Sequence, residues 1–168
     1  MTETASKSQL LTARLVVALV IAFIVIGAIW YGFSPEVCQR VWQNLLDRPA
    51  GPMTFRFILQ PCMAAIAALR DGVNDARLGR APYFWTVLTD PSKRVGRLCE
   101  GLISTARIIF LGLCMDAIYQ MIVLKTFYPG VAVIVAVTLA FLPYLLLRGP
   151  VARIARAWKQ KGVSVQSR

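Results

Sequence analysis

Residues 102–124, LISTARIIFLGLCMDAIYQMIVL, decide how the rest of the chain is read. A helix crossing a bilayer needs about 20 mainly apolar residues, and this run supplies them. It nevertheless carries Asp116 deep inside and Arg107 nearer its start. A charge at membrane depth costs roughly 2.5–3.5 kcal/mol on insertion scales, so it comes with a partner or a task. Nine residues separate Arg107 from Asp116, which places them on opposite sides of a helix and forbids an internal pair. Arg107 is expected to snorkel to the nearer interface. Asp116 shares a face with Tyr119, Gln120 and Gly112, and its candidate partners are Gln60, Arg56 or an arginine of a partner subunit. The first reading of Asp116 is a buried acceptor tying two helices together. A proton or ion relay in an oligomer and a catalytic carboxylate follow.

Working outward, three more apolar segments stand at 15–33, 53–69 and 131–147. The first is uncharged, preceded by Arg14 and closed by Trp30 and Tyr31, the aromatic residues that favour an interface. The second is the hardest to read, because it holds Arg56, Gln60 and Pro61 and is short for a crossing. Its run of alanines suits close helix packing. A re-entrant loop is its rival reading. The last carries Pro143 as a kink candidate and is joined to the third by a tight turn, 125–130. Segment 34–47 alternates apolar and polar residues at helical spacing after Ser34-Pro35, and so reads as an amphipathic helix lying on the membrane. The expected fold is an all-α integral membrane protein. It has four transmembrane helices, the second short and Pro-kinked, plus amphipathic interfacial helices, all in one membrane domain.

The loop 70–101 is polar. Arg70, Asn74 and Arg77 share one helical face and Asp71 and Asp75 a neighbouring one, a spacing that permits local ion pairs and extends the second helix to about Gly79. Residues 71–77, DGVNDAR, resemble the opening D-G-x-x-A-R of the CDP-alcohol phosphatidyltransferases, which would imply a metal-binding aspartate cluster. Three residues rather than two separate its glycine from Ala-Arg, and the later paired aspartates are absent, so an ion-paired helix end is the reading taken. Pro82-Tyr83-Phe84-Trp85 suits headgroup level, and Asp90-Pro91 caps a helix that runs into the third span. Beyond 147 the chain is a basic tail in which Arg148, Arg153, Arg156 and Lys159 are the expected contacts to anionic lipid headgroups.

Composition agrees with this reading. The chain has 168 residues, 57% of them hydrophobic, and a net charge of +11. With four spans, 14 of the 19 Lys and Arg fall on the side of both termini and four on the other, Arg107 lying within a span. In the four-span reading both termini are in the cytoplasm of a bacterial-type inner membrane, and Arg14 before the first span with aromatic residues after it is the usual order for that start. A re-entrant second segment gives a similar count, so charge alone does not choose between the two. The basic excess follows from topology, and no nucleic-acid-binding module accompanies it. The chain has no histidine, and its four cysteines form no C-x-x-C pair, which argues against structural zinc or bis-histidine haem. No nucleotide or hydrolase motif is present, and no cofactor is expected. The expected role is a non-enzymatic accessory or assembly subunit that meets lipid and a protein partner, or a second copy of itself, through the polar and small-residue faces of its second and third spans. A transport protomer using Asp116 is the alternative, and a lipid-handling enzyme is the weakest reading.

Overall fold

The computed structural model describes residues 6–32 and 54–166, with only positions 36, 39, 42 and 43 between them, and side chains as far as residue 159. Apart from those four positions, the amphipathic helix expected over 34–47 lies outside the described residues. All regular structure among the described residues is helical: α1 (Lys7–Tyr31), α2 (Arg56–Arg77), α3 (Tyr83–Thr89), α4 (Pro91–Tyr119) and α5 (Pro129–Gln166). Helices α1, α4 with its extension to Leu124, and α5 are long and apolar enough to cross a membrane. Helix α2 does not reach that standard by composition, because its charged residues dilute the apolar run.

Local chemistry sets the ends. Ser6 and Gln9 form a capping box at α1, the Gln9 side chain accepting from the Ser6 N–H at 2.9 Å. Asp90 caps α4 by accepting from the Ser92 N–H at 3.1 Å, with Pro91 in the first turn. Past Tyr119 the helix widens into a π-helical turn, Gln120–Leu124, and stops at Lys125 in the left-handed region, φ 50°. No residue pattern around Tyr119 announces that widening. Helix α2 is continuous through Pro61, where a kink was expected, and α5 continues through Pro143 and Pro150 into the tail. The 38 residues of α5 would span about 57 Å. A proline within a helix removes one hydrogen bond, and neighbouring helices hold the backbone in place.

Side-chain partners fix the directions. Arg56 lies beside Asp116, whereas Asp75 lies beside Arg97, so α2 and α4 are antiparallel. Nineteen residues separate the two contacts on each helix. Helix α5 returns antiparallel to α4, bringing Arg148 to Asp75. Helix α1 ends at the other extreme, where the Tyr31 hydroxyl donates to the Phe127 carbonyl at 2.8 Å. The core at the centre of the bundle is built from small residues: Ala64 and Ala68 of α2, Ala106 of α4, and Ala132, Ala136 and Ala140 of α5. The small-residue faces of α2 and α4, expected to receive a partner, are thus consumed inside the chain.

At two glycines these helices come closest. A Cβ on Gly112 would lie 2.2 Å from Gln60 Nε2, so the glycine leaves the notch that the Gln60 amide fills. A Cβ on Gly72 would meet the Arg148 carbonyl oxygen at 2.9 Å and Val151 Cγ1 at 2.7 Å. Gly72→Ala is expected to cost about 1–3 kcal/mol in detergent unfolding, the usual range for overpacking. Val151→Ala should restore little of it, because the carbonyl remains.

Candidate functional site

Polar side chains gather in two layers, one toward each end of the bundle. The layer nearer the α4–α5 turn is built on Asp116, which is fully buried. The Arg56 guanidinium, 2% exposed, forms an ion pair with Asp116 Oδ1, and Gln120 Nε2 donates to Oδ2. Gln120 also receives the Tyr128 N–H on its side-chain oxygen and donates to the Tyr128 carbonyl at 3.2 Å. It therefore ties the carboxylate to the start of α5. The Arg56 guanidinium stands over the rings of Phe57, 5.3 Å away, and Tyr119, 5.6 Å away, which adds cation–π attraction.

The sequence placed Asp116, Tyr119, Gln120 and Gln60 in one cluster, and all four are buried in this layer. Gln60 sits in the Gly112 notch with neither amide atom hydrogen-bonded among the described residues. An idle buried amide gains nothing from its polarity. Gln60→Met, similar in volume, is therefore expected to hold or raise the unfolding midpoint. A clear loss would mean that the amide binds an internal water.

The second layer is built on Asp75, 1% exposed and facing the bundle. Arg148 donates to its two oxygens through Nε at 2.8 Å and Nη2 at 3.1 Å, and Arg97 donates at 3.3 and 3.4 Å. Glu100, at the layer's exposed edge, accepts from Arg97 at 2.9 Å and pairs with Arg80 and Arg148, each at 3.4 Å. Two tyrosines complete the layer. The Tyr144 hydroxyl donates to Asp71 Oδ2 at 2.6 Å and accepts from Arg148 Nη1. The Tyr83 hydroxyl donates to the Arg97 carbonyl at 2.6 Å, and its ring lies 4.3 Å beneath the Arg148 guanidinium.

The expected network of Arg70, Asp71, Asn74, Asp75 and Arg77 is therefore divided. Asp71 and Asp75 do not pair with arginines on their own helix; they bind Tyr144, Arg97 and Arg148 on α4 and α5, because their face of α2 points inward. Arg70 and Arg77 lie exposed on the other side. Arg148 departs from its expected place as well. It is buried rather than at a headgroup, since Asp75 offers it a carboxylate in a dry site. Arg156 is half-buried and donates to the Arg80 carbonyl, while Arg153 and Lys159 are exposed. Sequence reasoning missed Arg97, Tyr83 and Tyr144. The Tyr144–Arg148 pair at i and i+4 was the available signal.

Burial pushes the Tyr83 phenol up to about 12, against the opposing pull of Arg148 and Arg97. The stability this contributes is complete below pH 10, where the unfolded phenol is also neutral, and is lost as pH rises toward 12. The advantage of the native protein over Tyr83→Phe should therefore shrink across that window in detergent unfolding. A constant difference would show that the phenol ionises in the folded state as it does in water.

Among the described residues no group of three or more acidic or cysteine side chains is placed to hold a metal. No family model matches the chain, and no curated protein or solved structure is significantly similar to it.

Proposed function

We propose that this chain is a four-pass protein of a bacterial-type inner membrane, both termini cytoplasmic, serving as a non-enzymatic accessory or assembly subunit of a membrane complex. The observation that carries the role is the closed Arg56–Asp116 pair. A relay needs a carboxylate free to exchange protons along a path. Here a guanidinium and a glutamine amide hold the carboxylate between three parts of the same chain.

Two exposed arginines support the membrane reading. Gly27 lies beside Gly130, and Gly112 faces Ala136. Counting inward along each helix, Arg14 and Arg107 then stand at nearly one depth, level with residues 141–143 of α5. Two lipid-facing arginines at one level mark the edge of the hydrocarbon, where each can snorkel. Asp116, nine residues further on, lies about 13 Å inside that edge. The Arg97, Arg148 and Asp75 layer falls on the other side of it, at headgroup depth. The fourth pass is then the one that α2 contributes, in the region of the short second apolar segment, 53–69.

Reporter fusions should place residues 1, 80 and 168 in one compartment and residue 126 in the other; 80 and 126 together would overturn the topology. Purification in mild detergent followed by mass spectrometry should recover a foreign subunit in fixed stoichiometry, and a clean homomer would count against the role. One observation favours the transport alternative: the Gln60 amide and Arg56 Nη1 lack hydrogen-bond partners among the described residues, close to Asp116. Under that reading Asp116→Asn abolishes flux in reconstituted vesicles. Unchanged flux would dispose of it.

A further inference from the structure

Helix α2 carries a groove of about 490 Å³, lined by Leu69, Arg70, Val73, Asn74 and Arg77 on its exposed face and by Asp71 at the edge shared with the Asp75 layer. Arg70 and Arg77 are seven residues apart, so both project from one helical face, about 10 Å apart along the axis, with Asn74 between them. Neither arginine has an ion-pair or hydrogen-bond partner among the described residues. The neighbouring arginines differ: Arg80, Arg97 and Arg148 are all engaged by Asp75 and Glu100. Asp71, the groove's one carboxylate, is already bound by the Tyr144 hydroxyl. The groove therefore offers two guanidiniums and an amide without a protein anion to meet them. Leu69 and Val73 are apolar and partly exposed beside these groups.

We propose that this groove binds the phosphate of an anionic phospholipid of the inner leaflet. The guanidinium forks and the Asn74 amide would hold the phosphodiester oxygens, and the glycerol and first acyl carbons would pass Val73 and Leu69 on their way into the hydrocarbon. Guanidinium suits this ligand because its planar fork pairs with phosphate oxygens through two parallel hydrogen bonds. The apolar wall distinguishes a lipid from a soluble phosphate ester, which would gain nothing from it. The site lies on α2 rather than on the basic tail, and Arg148 is excluded from it by its bond to Asp75. This proposal rests on the topology above, which puts the α2–α3 corner at the cytoplasmic leaflet. It does not depend on a protein partner.

The test uses the full chain, purified in neutral detergent and titrated with phosphatidylglycerol, with phosphatidylcholine or with inorganic phosphate, bound lipid being counted by native mass spectrometry. Phosphatidylglycerol should be retained in preference to phosphatidylcholine. Arg70→Gln/Arg77→Gln should weaken that retention about tenfold or more, because both charged contacts to the phosphate are lost. Arg153→Gln/Lys159→Gln should change it less than twofold. Arg70→Lys/Arg77→Lys, which keeps the charge and loses the fork, should fall between native and the glutamine variant. Far-UV circular dichroism and a single gel-filtration peak would show that each variant is folded. If the tail variant loses binding and the groove variant keeps it, the site is overturned. If inorganic phosphate displaces the lipid at similar concentration, the ligand is a soluble phosphate and the lipid assignment fails. The fusion at residue 80 separates failure of this site from failure of the topology, because lipid retention in detergent does not depend on orientation.

Discussion

Asp116→Leu and Arg56→Met should each cost the bundle about 3–5 kcal/mol, while the double variant should cost less than either alone. Each single change leaves a buried ion without its counter-charge. Arg56 alone would keep its two aromatic neighbours, Phe57 and Tyr119, but no carboxylate. Asp116 alone would keep the Gln120 amide, which is a donor and not a charge. Removing both puts two apolar side chains of similar length into a site whose other walls are α-helical, and the desolvation cost of both ions disappears together. Apolar replacement of a buried pair is often neutral or stabilising for that reason. The measurement is a double-mutant cycle in mixed micelles, with unfolding by sodium dodecyl sulfate followed by far-UV circular dichroism. Additive losses would mean that the pair does not couple α2 to α4. Asp116→Asn belongs with the single variants, since it keeps the shape and the Gln120 contact while stranding the guanidinium.

Much of this layer was legible in the sequence, because a lone acid in an apolar run must find a partner and Arg56 was among the few candidates. The three long apolar helices were legible for the same reason, as uninterrupted hydrophobic runs of spanning length. Less could be read where a residue's role depends on another helix. Arg77 stands at i+6 from Asp71 and i+2 from Asp75, and neither aspartate has an arginine at i+3 or i+4, so the local pairs expected on this helix had no partner in reach. Nothing in that spacing says that Asp75 faces inward and will be met by Arg148, 73 residues away. The same blindness put Arg148 at the headgroups, because a basic tail is a compositional signal and burial is not. Proline misled in another way. The last span was expected to end at 147 with a separate tail beyond, yet α5 passes through Gly149-Pro150, held by α2 alongside where Gly72 admits the Arg148 carbonyl.

The Asp75 layer yields the other large effect, and an asymmetry that a general loss of stability would not produce. Asp75→Leu should cost about 3–5 kcal/mol, because it strands Arg97 and Arg148, both buried. Asp71→Asn should cost about 1 kcal/mol, since its amide oxygen can still accept from Tyr144. Glu100→Gln should fall within about 1 kcal/mol, because the Glu100 side chain is 41% exposed and its ion pairs face water. The two stranded arginines are not equivalent. With Asp75 gone, Arg97 keeps Glu100 at 2.9 Å and the Ala81 carbonyl at 3.2 Å. Arg148 keeps Glu100 at 3.4 Å, the Tyr144 hydroxyl and the face of the Tyr83 ring, a longer and weaker set. Removing Arg148 together with Asp75 should therefore restore most of the lost stability, and removing Arg97 together with Asp75 should restore little. Equal rescue by Arg97→Met and Arg148→Met would show that the layer screens its charges collectively. Unequal rescue in the stated order would identify the Asp75–Arg148 contact as the bond that holds α2 against α5.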